Sequence, residues 1–188
     1  MDKNKVKRVL IITLSNIGDA ILSFPVIDGV LNGMPDAQVS VMVGPKSRHL
    51  FENNKCIDEV IIYNKKLSIF KKITWIFSLR KKRFDFIIDL KNSGMPLLLS
   101  PKYCTPLDGN KKESVHMKDK HLNRLKLIYP FEIETSPRHM FETTEEDVSS
   151  VDHLLKEASG QRFFVVAPGS LNEYKRWAET NFTKVCNK

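Results

Sequence analysis

The stretch from Arg8 to Pro25, RVLIITLSNIGDAILSFP, constrains the fold of this chain more than any other. Val9 to Leu14 is an apolar run rich in β-branched residues, and it is too short to cross a bilayer. Such a run reads as a strand of a parallel sheet buried on both faces. Ser15 and Asn16 then carry the chain out of the sheet, and Gly18 allows a tight turn or a close backbone approach. Asp19 stands where a helix should begin. In open α/β sheets ligands bind in the crevice outside the carboxyl ends of the strands, so this turn is the first place to look for chemistry.

The same logic repeats downstream. Asp19 to about Gly33 reads as a helix that Pro25, lacking an N–H, should kink or interrupt. Gln38–Val43 is a second strand, followed by Gly44-Pro45 and a helix through about Phe51. Ile57–Tyr63 is a third strand and Phe84–Leu90 a fourth, with a basic helix between them. Alternating strands and helices predict a Rossmann-like parallel sheet with flanking helices, an α/β fold. From Lys91 to Met117 prolines and the Asp108-Gly109-Asn110 turn interrupt the pattern, and a short strand near Lys102–Cys104 has no support from periodicity. Lys118–Tyr129 reads as a helix, as does Thr144–Ser159, with Val148, Val151, Leu154 and Leu155 on one face. Arg162–Ala167 is a further apolar strand leading into Pro168-Gly169-Ser170, the beginning of a second domain. We therefore expect residues 1–143 to form one Rossmann-like domain, and 144–188 a linker helix and an incomplete start of another.

The 188 residues carry a net charge of +8, unevenly placed. From Lys65 to Arg83 there are eight basic residues and no acidic one, which equals the whole excess. Ile69, Phe70, Ile73, Ile76 and Phe77 recur there at helical spacing, giving a helix with a core face and cationic ends. Such a helix suits anionic lipid, a phosphorylated glycolipid or nucleic acid, and the plainer reading is the solvated face of a basic protein. Cys56, Cys104 and Cys186 have no metal-type spacing and read as free thiols of a cytoplasmic protein. No stretch has the apolar length of a transmembrane helix, and the basic N-terminus lacks a cleavage site.

The turns exclude two common chemistries. A dinucleotide-binding turn carries several glycines and an acidic residue after the second strand, whereas here Gly18 stands alone and that strand ends in Val43-Gly44-Pro45. No glycine is followed by Lys-Ser or Lys-Thr as in a nucleotide-hydrolase loop, and the five histidines form no metal-ligand pattern. Asp19 has two readings: an acid stabilised by the helix dipole, or a general base aimed into the crevice. Asp89, at the end of the fourth strand, either faces that crevice or caps the next turn. In PGSLNEYKRW, Ser170 and Lys175 gather a hydroxyl and an ammonium beside a backbone turn, a combination that suits phosphate.

Taken together, RVLIITLSNIGDAILSFPVIDGV, the Met34-Pro35-Asp36-Ala37 turn, VSVMVGPK, and VVAPGS followed by KRW resemble the family 9 glycosyltransferases. The best-known members of that family are the lipopolysaccharide heptosyltransferases. The resemblance runs over essentially the whole chain. It implies the GT-B architecture, in which a first Rossmann-like domain binds the acceptor and a second the nucleotide sugar. The implied reaction moves a sugar from a donor such as ADP-heptose to the lipopolysaccharide inner core, with inversion and without metal or cofactor. Asp19 matches the aspartate regarded as the base, and Ser170 and Lys175 match positions at the donor diphosphate. Gly18, Lys65, Lys66 and Asp89 fall on the acceptor side, with lipid A-type saccharide rather than nucleic acid as partner, at the inner face of the cytoplasmic membrane.

In the family most of the donor domain follows the KRW signature, and here the sequence stops at Lys188. The expectation is a fragment of a longer product or a shortened relative, with little transferase activity alone. A non-catalytic module binding anionic glycolipid or another polyanion is the alternative.

Overall fold

A computed structural model describes residues 1–13, 15–64, 66–107, 116–129, 143–156, 162–170 and 172–187. The strands are β1 (Arg8–Ile12), β2 (Gln38–Val43), β3 (Glu59–Ile62), β4 (Phe86–Asp89) and the two-residue β5 (Tyr103–Cys104). They form one parallel sheet in the order β3-β2-β1-β4-β5. β1 is central, with Ile11 opposite Val41 on one side and Ile88 on the other.

Alternation along the strands feeds two cores. On one face Val9, Ile11, Val41, Phe86 and Ile88 meet helices α1 (Ile17–Ile21), α2 (Phe24–Gly33) and α5 (Met117–Lys126), through side chains such as Phe24, Ile27, Val30 and Leu125. On the other, Leu10, Ile12, Met42 and Ile87 meet Leu79 of α3 (Ile69–Lys81) and Met95 and Leu99 of α4 (Met95–Leu99). This is the Rossmann-like three-layer arrangement that the strand and helix alternation predicts.

Local details refine the expectation. Pro25 does interrupt the first helix: α1 ends at Ile21 and α2 starts at Phe24, with the proline in its first turn, where a missing N–H costs nothing. Pro45–Leu50 is a 3-10 helix, and α4 forms inside a stretch that sequence patterning left without structure. The basic helix requires a correction. It forms, but Ile69, Phe70, Ile73 and Phe77, expected to face the core, lie in solvent. It packs instead through Leu79 with Trp75 and Ile76 beside it. The apolar residues of α3 occupy more of its circumference than one sheet face can cover, so only one arc is buried.

The chain divides into two compact units, Met1–Glu142 and Thr143–Lys188. The second contains α6 (Glu145–Leu155), a 3-10 helix at Glu173–Lys175 and α7 (Glu179–Cys186). Thr144 and Asp147 close a capping box at the start of α6. The apolar run at 162–167 is not a strand, which overturns the expectation there. A strand needs a neighbour to share its ladder, and the described residues of this unit contain none. The Asp108-Gly109-Asn110 turn lies outside the described residues.

Candidate active site

Strand order reverses between β1 and β4, the position where an open parallel sheet leaves a crevice at its carboxyl edge. A cavity of about 170 Å³ lies there, with Ile12, Met42 and Val43 from the strand ends and Thr13, Gly44, Tyr63, Lys91, Ser93 and Met95 from the segments that follow them. Lys91 Nζ donates to Ser15 Oγ at 3.3 Å and sits 4.7 Å from the Tyr63 ring centroid, a cation–π contact. Gly44 packs closely on this segment: a Cβ there would stand 3.1 Å from the Cα, Cβ and carbonyl oxygen of Ser15, which would have to give by a few tenths of an ångström. Ser47 Oγ adds a hydrogen bond to that same carbonyl at 3.3 Å. The segment leaving β1 is thus held from β2 and from β4 at once. An aromatic platform beside an ammonium, with hydroxyls at the rim, is a site for a polar ring carrying negative charge.

Asp19 stands on this segment, in the first turn of α1, half-buried, where Asn16 Nδ2 donates to its Oδ2 at 3.0 Å. The amide fixes one carboxylate oxygen and so sets the direction of the other. Gly18 precedes it with an ordinary helical backbone, and a Cβ placed there would meet nothing within 4 Å. Neither the turn nor its packing among the described residues needs glycine there. On α5, His121 is 1% exposed, and neither ring nitrogen has a hydrogen-bond partner among the described residues. Burial, and then the Arg124 cation, hold its pKa down to about 4, while the negative charge of Asp19 pulls the other way.

Asp89 is buried at the end of β4. Its carboxylate accepts the backbone N–H of Lys91 at 3.2 Å, and the N–H and hydroxyl of Ser93 at 2.7 and 2.9 Å. It shapes the loop that presents Lys91 and Ser93. Lys66 is exposed after β3, three residues beyond Tyr63, with its N–H on Asn64 Oδ1. Lys65 lies outside the described residues. Among the described residues, none singled out from the sequence lines the cavity, and Tyr63, Lys91 and Ser93, which do, were missed. The available signal was positional: each follows the carboxyl end of a strand by one to four residues.

In the second unit Ser170 precedes the 3-10 turn Glu173–Lys175 that carries Lys175. Arg176 Nε donates to the Ser170 carbonyl at 2.7 Å, and Asn172 N–H to its hydroxyl at 3.4 Å, while Lys175 is exposed in the 3-10 turn. Trp177 packs edge-on against Phe182 at 5.1 Å between centroids. Among the described residues no three His, Cys, Asp or Glu side chains stand together as a metal site, and no helix is long and apolar enough to cross a membrane.

No family model and no curated protein matches the sequence. Solved structures do. A family 9 glycosyl transferase from Veillonella parvula superposes with a TM-score of 0.72 at 20% identity, covering 98% of this chain and 59% of its own. The fold is shared with a glycosyltransferase. The E. coli heptosyltransferase WaaC, solved with ADP, matches at a TM-score of 0.64 and 13% identity, over 96% of this chain and 63% of its own. E. coli ADP-heptose lipopolysaccharide heptosyltransferase II matches at 0.64 and 17%, over 96% and 60%. The chain thus spans about 60% of the length of these transferases.

Proposed function

We propose that this chain is the acceptor-binding side, with the start of the donor-binding side, of a family 9 glycosyltransferase that moves a sugar from a nucleotide-activated donor to a saccharide acceptor. The observation that carries the reading is the position of Asp19. It sits in the first turn of α1, on the segment leaving the carboxyl end of β1, oriented by Asn16, in a chain that overlays along 98% of its length on such a transferase.

In this reading the acceptor ring rests against Tyr63 and Lys91 and offers a hydroxyl to Asp19. The carboxylate takes the proton as the hydroxyl oxygen bonds to the anomeric carbon, and the bond from that carbon to the donor phosphate breaks on the opposite face. The configuration inverts. Negative charge collecting on the departing diphosphate is met by Lys175, with Ser170 and the backbone of its turn as hydrogen-bond donors. No step requires a metal. ADP-heptose as donor and the lipopolysaccharide inner core as acceptor are the specific substrates we propose, with the protein working in the cytoplasm at the membrane face. Two relatives of shared fold support that choice: WaaC was solved with ADP, and heptosyltransferase II is named for ADP-heptose.

The test joins residues 1–188 in frame to the donor half of a family 9 transferase. Asp19→Asn should lower turnover by at least about a hundredfold while acceptor binding is kept. Unchanged turnover overturns the assignment. Retained binding of any polyanion with steep salt dependence would favour the alternative, a binding module, for which the acid-free stretch from Lys65 to Arg83 is the supporting observation.

A further inference from the structure

Tyr63 reaches the cavity from the edge of the sheet. It is the first residue after β3, which has no strand on its outer side among the described residues. Its backbone is fixed, the N–H donating to the Val43 carbonyl at 2.8 Å. That bond leaves the ring free to turn about χ1 unless packing holds it. The ring has two neighbours. Lys91 Nζ stands over it, 4.7 Å from the centroid, and the Trp75 indole of α3 lies 5.7 Å away between centroids, with the planes tilted by 39°. Trp75 is not one of the residues that line the cavity. It is half-buried, and beside Leu79 and Ile76 it packs α3 onto the core under this face of the sheet.

We propose that Trp75 is a positioning residue for the site: it holds the Tyr63 ring where the Lys91 ammonium lies over its face and within reach of Ser15 Oγ. Lysine carries its charge on a flexible stem, so the ammonium goes where its partners place it. Ser15 Oγ supplies a hydrogen bond at 3.3 Å. The ring supplies a direction, because its quadrupole attracts a cation only over the face. A Tyr63 ring swung outward would forfeit that attraction and withdraw the platform from the cavity. The indole opposes the swing, since a tilted aromatic pair at this separation gains contact and quadrupole energy that the displaced ring loses. Phenylalanine at position 75 would keep an aromatic neighbour for Tyr63, whereas leucine would fill part of the volume without one. The effect on turnover rests on the acceptor reading given above. The arrangement of the three side chains rests on distances alone, so either can fail without the other.

The experiment has two readouts. The first needs no ligand: in the 188-residue protein labelled at lysine Cε, the Lys91 nuclear magnetic resonance signal, identified by its loss in Lys91→Arg, is displaced by the Tyr63 ring current. Trp75→Leu should move that signal toward those of the exposed lysines, and Trp75→Phe should return it most of the way. The second uses residues 1–188 joined to the donor half of a family 9 transferase, with ADP-heptose as donor and a lipid A-type saccharide as acceptor. Trp75→Leu should raise the acceptor KM about three- to tenfold with kcat within about twofold, and Trp75→Phe should restore KM. On a Tyr63→Leu background the same change should add little, because the residue it acts through is gone. An unmoved Lys91 signal in Trp75→Leu, a phenylalanine variant as impaired as the leucine one, a fall in kcat without a rise in KM, or the full effect on the Tyr63→Leu background overturns the proposal. So does the absence of nuclear Overhauser contacts between the Trp75 and Tyr63 rings in the wild-type protein, a measurement that stands even if Trp75→Leu does not fold. A wild-type chimera without turnover overturns the transfer reading instead, and the lysine signal then decides the role of Trp75.

Discussion

Val9–Ile12 reads VLII and Phe163–Val166 reads FFVV, and each runs into a polar turn containing glycine. The first string is at most 2% exposed, and the second is between 39% and 81% exposed. Sequence chemistry does not separate them. Their surroundings do: β1 has β2 and β4 hydrogen-bonded to either side and helices over both faces, whereas the second run has no strand beside it among the described residues. A buried strand is a property of its neighbours as much as of its own side chains. The helices of the second unit differ for the same reason. α6 has a complete capping box, yet Val148, Val151 and Leu154 remain exposed, because capping satisfies backbone groups without supplying anything to pack against.

The widest gap between the two regions should appear on removing equivalent aliphatic volume. Ile11→Ala deletes methyl groups from a site with no exposure and should cost about 2–5 kcal/mol in denaturant unfolding. Val165→Ala, at 81% exposure, should stay within about 0.5 kcal/mol. A comparable loss from Val165→Ala would break the comparison and show that the second run is covered in solution.

Acid sharpens the contrast. Buried His121 titrates near 4 in the folded protein and near its ordinary value of 6.5 in the unfolded chain. Between those values the unfolded state holds the extra proton, so stability rises with pH, is fully present above the ordinary value, and is lost as pH falls toward 4. Going from pH 7 to 4.5 should cost the first unit about 2 kcal/mol, and His121→Leu should flatten that slope. α6 answers to a different group. Hydrogen bonds from the Thr144 backbone N–H and hydroxyl hold Asp147 below the usual carboxylate range, so its contribution persists at pH 4.5 and fades only in stronger acid. Hydrogen exchange resolved by residue at the two pH values reads both. A uniform loss across the chain would contradict the separation.

What the sequence discloses follows the same division. Periodicity places the first four strands and the main helices of the first unit, because burial on two sheet faces imposes a continuous apolar signature on β1, β2 and β4, whereas the two-residue β5 is too short to show a period. It misleads at α3, where Phe70 and Phe77 look like core and are not, since periodicity shows that a face is apolar without showing what covers it. At the site, Asp19 is legible because a Gly-Asp pair opens a helix right after a buried strand. Lys91 and Tyr63 are not legible, because one follows β4 and the other β3, and only the strand order β3-β2-β1-β4 brings both to one cavity. Asp89 is legible as a strand-end acid, but the three hydrogen bonds that commit it to the loop appear only in three dimensions.

The smallest effect bears on the site itself. Gly18 lies within α1 with no positive φ and no neighbour that a Cβ would strike. Helical glycine costs roughly 0.5–1 kcal/mol relative to alanine, so Gly18→Ala should stabilise the first unit by up to about that amount. If the residue is glycine because a ligand backs against it, the same variant should weaken acceptor binding while it raises the unfolding midpoint. Stabilisation and weakened binding moving together would assign Gly18 to the site, since a merely tolerated glycine gives the first without the second. A destabilised variant would instead mean that the open space beside Gly18 is filled in solution by protein.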